Sequence, residues 1–210
     1  MAERDRGSEG ELSLYDLSDE GRARQRAAAA AARRRREPGR RGLLIVHTGD
    51  GKGKTTAALG MVWRAWGRGM RPLVLQFIKH ATGNWGEVRA ARKVGIEIVG
   101  LGGGFTWESA NIEQDRALAQ RGWARCRAAI AGGAYDLVVL DEITYCLNFG
   151  WLDIDEVLGA LRDRPAGQHV VLTGRDAPAA LIEAADLVTE MREVKHPYRA
   201  GILAQKGIDL

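Results

Sequence analysis

The stretch Thr48-Gly49-Asp50-Gly51-Lys52-Gly53-Lys54-Thr55-Thr56 decides how this chain is read. It follows the apolar run Leu43-Leu44-Ile45-Val46 and precedes Ala57 to Trp66, a segment of helical composition. A buried strand thus enters a glycine-rich turn that opens a helix. That order suits a phosphate-binding loop. The glycines let the backbone curl until several N–H groups face one point. The helix aims the positive end of its dipole at the same point. Lys54 adds a full charge, and the Thr55 hydroxyl can ligate magnesium. Gly53, Lys54 and Thr55 match the end of G-x-x-x-x-G-K-[ST], whereas Thr48 holds the first glycine position. A glycine-rich turn that binds nothing is the alternative.

Around this loop the chain alternates between short apolar runs and helical stretches. The pattern predicts strands at 43–47, 72–78, 96–99, 136–141 and 169–173, with a weaker sixth near 186–191. Helices are predicted at 54–67, 86–94, 111–131, 153–163 and 177–185. Such alternation indicates an α/β fold, a P-loop NTPase-like (RecA-like) mostly parallel sheet covered by helices on both faces. The active site of such a sheet lies at the carboxyl ends of its strands.

A second chemical signal lies in Tyr135-Asp136-Leu137-Val138-Val139-Leu140-Asp141-Glu142, an apolar strand ending in two acids. Asp141 sits where these folds place a carboxylate of the magnesium shell, and Glu142 where ATPases place a base. An acid pair that merely caps the next helix is the competing reading. The stretch Gly100 to Ser109 is read as too glycine-rich for regular structure, yet it carries Phe105 and Trp107. Large aromatics in a glycine-hinged loop suit the wall of a large apolar ligand. Anchoring of that loop on the core is the other option.

Composition bounds the function. The 210 residues are 45% hydrophobic, enough for one domain with a sizeable core plus a tail. No apolar run approaches the roughly 18 residues of a membrane span, and no signal-peptide h-region is visible, so a cytoplasmic protein is expected. Cys126 and Cys146, without a C-x-x-C, are expected to be reduced thiols. The histidines His47, His80, His169 and His196 are scattered and give no metal-binding spacing.

The net charge of +4 is unevenly placed. Residues 1–41 hold 11 arginines and 8 acids, and the remainder is nearly balanced. Within that arm, 1–20 is acidic and 21–41 basic. Ala27 to Ala32 favours a helix, but no regular apolar face packs it on a core. The chain is therefore divided into a charged, helix-prone arm at 1–41 and a catalytic domain at 42–210. The basic arm by itself could bind nucleic acid.

Several elements together resemble the P-loop class of corrinoid adenosyltransferases. They are Thr48 to Thr56, Gln76-Phe-Ile-Lys79, Trp85-Gly-Glu87, Gly104-Phe-Thr-Trp-Glu108, Val139-Leu-Asp-Glu142, Thr173-Gly-Arg175, Val194-Lys-His-Pro-Tyr198, Gly201 and Gln205-Lys-Gly-Ile-Asp209. The resemblance spans about 42–210. Thr48 is part of that family's pattern, whereas Asp50 stands where relatives often carry asparagine. The resemblance implies transfer of the 5′-deoxyadenosyl group of ATP to the cobalt(I) of a corrinoid, with release of triphosphate. Lys54, Thr55, Asp141 and Glu142 are then the catalytic set. Gly49, Asp50, Gly51, Lys52, Gly53, Lys54, Thr55, Thr56 and Arg175 bind the nucleotide. Thr55 and Asp141 hold magnesium, with manganese as a substitute. Phe105, Trp107 and Trp85 face the corrinoid. A homodimer and an electron donor such as a reduced flavin or flavoprotein are further implications. Residues 21–41, arginine-rich and helix-prone, are by their composition expected to order over the active site when ATP and corrinoid are both bound. The runner-up is a P-loop ATPase or phosphotransferase with another small-molecule or nucleic-acid partner. A third reading is a corrinoid carrier that uses ATP as a conformational signal. Cobyrinic diamide, cobinamide and cobalamin are not distinguished.

Overall fold

The computed structural model describes residues 18–34, 41–80, 85–103 and 112–208. The chain divides into two units, Met1–Gly39 and Arg40–Leu210. In the first, helix α1 spans Asp19–Arg34. Ser18 Oγ accepts a hydrogen bond from Gly21 N at 3.0 Å, which satisfies one of the unpaired amides at the helix start. Ion pairs Arg22–Asp19 and Arg24–Glu20 lie along its surface at helical spacing.

The second unit is built on six strands: β1 (Leu44–Thr48), β2 (Pro72–His80), β3 (Glu97–Gly102), β4 (Leu137–Asp141), β5 (His169–Thr173) and β6 (Leu187–Glu190). They form one sheet in the order β3-β2-β4-β5-β1-β6, and every pairing is parallel. Strands β1 and β4 are buried at every position, because helices cover both faces. One face packs on α2 (Lys54–Trp66) and α3 (Gly86–Lys93), through Ala58, Val62, Ala65 and Ala91. The other packs on α4 (Ile112–Ala131), α5 (Ile143–Asn148), α6 (Ile154–Arg162) and α7 (Ala179–Ala184). In α4 the buried residues Ala119, Trp123, Cys126 and Ile130 recur every three to four positions, which turns one stripe to the sheet. The α/β expectation and all six strands are observed. Cys126 and Cys146 are free and buried, and burial pushes the Cys146 thiol up to about 12.

One expectation needs correction, and one element was missed. Gly100–Gly102 is not irregular but completes β3. A Cβ on Gly102 would lie 2.2 Å from Phe77 O, so the glycine there permits close approach of two strands rather than a flexible loop. Helix α5 was not anticipated, because six residues are too few to display a helical period. Among the described residues no helix is long and apolar enough to cross a membrane.

Candidate active site

Parallel pairing brings the ends of β1, β2, β4 and β5 to one edge. In the loop after β1, Gly49 has φ 89° and Gly53 φ 111°, values that favour glycine. Gly51 N donates to Met191 O at 2.6 Å, and Met191 N donates to Thr48 O at 2.8 Å. A Cβ on Gly51 would lie 2.7 Å from that Met191 oxygen. The segment after β6 therefore lies directly against the loop, and Gly51 must be glycine for it to do so.

Lys54, in the first turn of α2, is buried and turns back into the loop. Its Nζ donates to Gly49 O at 2.6 Å and to Gly51 O at 2.8 Å. Burial pulls its pKa below the ordinary lysine value; the charges of Glu142 and Asp50 oppose this, and Arg175 reinforces it. Asp50, Lys52 and Thr56 are exposed on the loop and first helical turn.

Beside Lys54, Thr55 Oγ1 donates to Asp141 Oδ1 at 2.8 Å. Thr173 Oγ1 donates to the same oxygen at 2.7 Å, and Gln76 Nε2 donates to Asp141 Oδ2 at 3.0 Å. Asp141 is wholly buried, and these partners are all neutral. Glu142 follows in the left-handed region, with φ 64°. That conformation is strained for a side chain larger than glycine. Its backbone N donates to Thr173 Oγ1 at 2.9 Å. Burial, then the neighbouring Asp141, push the Glu142 carboxyl up to about 7, against Lys54, Lys79 and Arg175. Gly174 precedes Arg175 with φ 141°, and a Cβ there would strike Thr144 Oγ1 at 1.9 Å.

The Asp141 site fits a magnesium ion by its donor chemistry. A buried carboxylate with only neutral partners, next to a threonine hydroxyl, supplies hard oxygen ligands but no counter-charge. Among the described residues no group of three or more His, Cys, Asp or Glu forms a metal cage. Magnesium is held by one or two protein oxygens together with substrate phosphates and water, and the hydroxyl of Thr55 and the carboxylate of Asp141 are oxygens of that kind.

At the end of β2, Lys79 forms an ion pair with Glu87 and lies 4.9 Å from the Trp85 ring centroid. The Trp85 Nε1–H is buried without a partner among the described residues. Phe105 and Trp107 lie outside the described residues. Arg175 is exposed, and its charge acts on Lys54, Glu142 and Tyr145. Gln76, Thr173, Lys79, Tyr145 and Met191 received no role from the sequence. The first three stood within recognisable motifs, whereas the backbone contact of Met191 leaves no residue-type signal.

Strand order, the strand–loop–helix turn and the acidic end of β4 define a P-loop nucleotide-binding protein. A solved structure with this fold is the flagellar accessory protein FlaH from Methanocaldococcus jannaschii, with TM-score 0.52, 9% identity and 71% of each chain covered. Residues 40–210 match the family model for ATP:corrinoid adenosyltransferase BtuR/CobO/CobP, and the chain belongs to that family. It is 47% identical over 172 residues to a corrinoid adenosyltransferase of Pseudomonas aeruginosa, covering 80% of this chain and 84% of the relative. It is 44% identical over 171 residues to the corrinoid adenosyltransferase CobA of Salmonella typhimurium, covering 80% and 86%.

Proposed function

We propose that this edge of the sheet aligns ATP with a cobalt(I) corrinoid and stabilises triphosphate as it leaves. The observation that carries the reading is the placement of the Lys54 ammonium inside the glycine loop, with the next residue, Thr55, bonded to the buried Asp141. Cobalt(I) is already a powerful nucleophile, so no general base is required to activate it. The protein's task is orientation and stabilisation of a highly charged leaving group. When ATP enters, phosphate oxygens replace the Gly49 and Gly51 carbonyls as partners of Lys54. Loop amides from Gly49 to Thr56 and the Arg175 guanidinium complete the anion site. Thr55 and Asp141 would hold magnesium, which would neutralise part of the triphosphate charge. Glu142, with its raised pKa, is a proton-accepting neighbour of that shell rather than an activator of water.

On the corrinoid side we assign Phe105, Trp107 and Trp85, supported by resemblance and, for Trp85, by an indole N–H that has no partner among the described residues. Resemblance also supports a homodimer, cytoplasmic location and a reduced flavin or flavoprotein as electron donor. Incubation with ATP, magnesium and chemically reduced corrinoid tests the function. Adenosylated corrinoid and inorganic triphosphate are expected in equal amounts. ADP as the product, with the corrinoid left unmodified, would overturn the reading in favour of an ATPase or phosphotransferase.

A further inference from the structure

The hydroxyl of Thr173 is bonded to both neighbouring acids at once. Its Oγ1 donates to Asp141 Oδ1 at 2.7 Å and accepts from the backbone N–H of Glu142 at 2.9 Å. Strand register creates this meeting. Leu140 of β4 pairs with Leu172 of β5, so the next residues, Asp141 and Thr173, stand side by side where both strands end. Thr173 is wholly buried and cannot touch a substrate. Whatever it does for the reaction is done through the acids it holds.

The two acids need such a tie. Side chains of consecutive strand residues point to opposite faces. Glu142 leaves that alternation because its backbone turns into the left-handed region, with φ 64° and ψ 21°. The conformation is unfavourable for any residue with a side chain, and the bond from its N–H to Thr173 holds it. Asp141 Oδ1 is also the oxygen that Thr55 addresses, at 2.8 Å, whereas Gln76 takes Oδ2 at 3.0 Å. Thr173 therefore acts on the oxygen shared with the first turn of α2. The bridge is anchored from behind as well. Gly174 N donates to His47 O at 3.2 Å, and a Cβ on Gly174 would lie 1.9 Å from Thr144 Oγ1. Asn148 Nδ2 donates to the carbonyls of Arg175 and Asp176 at 3.4 and 3.1 Å. Little freedom remains for Thr173 to move away from either acid.

We propose that Thr173 is a positioning residue for the reaction, whose hydroxyl locks the carboxylate of Asp141 and the backbone turn at Glu142 into one arrangement ready for the metal. This rests on the reading of Thr55 and Asp141 as the magnesium site of the adenosyltransferase. A hydroxyl suits the task because a single atom both donates and accepts. An amide side chain would need two atoms for this, and valine, of nearly the same shape, offers neither function. Satisfying a buried carboxylate takes a donor alone, as Gln76 does on the other oxygen. The second bond, to Glu142, is what sets Thr173 apart.

The test measures ATP affinity of the full chain by equilibrium dialysis without corrinoid, once with magnesium and once with EDTA. The ratio of the two affinities reads how well the site holds the metal. Groups that orient a metal ligand are worth about 10–100-fold in metal affinity. Thr173→Val should lower the ratio by that factor and leave ATP affinity in EDTA unchanged, and Thr173→Ser should restore it. Gln76→Met strips a donor from the same carboxylate but spares the bridge, so it should lower the ratio less. An equal ratio in wild type and Thr173→Val overturns the bridge, even if the melting temperature falls. So does a Gln76→Met variant as impaired as Thr173→Val, which would make satisfaction of the buried carboxylate the whole cause. If Thr173→Val does not fold, Thr173→Ala compared with Thr173→Ser decides the same question. A wild type whose ATP affinity ignores magnesium sinks the bridge together with the magnesium site. No corrinoid is present, so failure of the adenosyl-transfer reading is seen separately, in the product assay.

Discussion

Thr55 Oγ1 and Asp141 Oδ1 are hydrogen-bonded at 2.8 Å although 86 residues separate them. The bond joins the first turn of α2 to the end of β4, and so fixes where a loop-bound phosphate stands relative to a buried carboxylate. Replacing Asp141 with Asn keeps its shape but removes the charge. We expect Asp141→Asn and Thr55→Ala each to raise the magnesium concentration for half-maximal rate at least tenfold. Melting temperature should not fall for Asp141→Asn, because three neutral donors around a buried carboxylate compensate its charge only in part. An unchanged metal titration would reject the assignment.

Lys54 makes its described hydrogen bonds only to loop carbonyls. Its removal should therefore leave the fold intact. Loss of one well-placed charge from such a site costs about 2.7–4 kcal/mol of transition-state stabilisation. Turnover of Lys54→Ala should fall by about 100–1,000-fold, with circular dichroism and melting close to wild type. Near-normal turnover would remove Lys54 from the leaving-group site.

Glu142 has a folded-state carboxyl raised from 4.5 to about 7. Between those values the folded protein holds a proton that the unfolded chain has released. Stability linked to Glu142 is therefore fully present below pH 4.5 and is lost as pH rises through 7. The loss is on the order of 1–3 kcal/mol. Thermal melts of ligand-free wild type and Glu142→Gln across this interval measure it. The wild type should lose stability relative to the variant as pH rises; parallel pH profiles would contradict the assigned environment.

Phe105 and Trp107 are expected to act on cobalt reduction. Apolar rings against the lower corrin face would exclude an axial ligand and make cobalt(II) easier to reduce. Phe105→Ala and Trp107→Ala should lower activity strongly with a flavin donor and much less with chemically prepared cobalt(I). Electron paramagnetic resonance of bound cobalt(II) corrinoid should shift from four- to five-coordinate in both variants. Equal four-coordinate fractions in all three proteins would exclude this role.

Deleting residues 1–38 is expected to lower turnover or corrinoid affinity without lowering the melting temperature of the remaining chain. The arm is charged and offers no regular apolar stripe for a core. Salt-sensitive DNA binding by the full chain but not by the truncated one would instead mark the arm as a nucleic-acid contact.

Much of this protein was legible without coordinates, because the signals lie within short windows. Leu43 to Val46 reads as a buried strand, Gly49 to Gly53 as a turn, and Lys54 to Trp66 as a helix, since period and turn chemistry are local properties. The acidic end of β4 was visible for the same reason. Tertiary structure decided which distant groups satisfy those residues. Gln76 and Thr173 meet Asp141 only because β2 and β5 flank β4 in a particular parallel register. Met191 reaches Gly51 through a backbone carbonyl, a group every residue carries and no composition reveals. The left-handed backbone at Glu142, and the raised pKa that burial and the neighbouring Asp141 give its carboxyl, depend on the packed environment and not on residue type. Helix α5 escaped for a related reason: its six residues are held by contacts with the sheet, not by an intrinsic helical pattern.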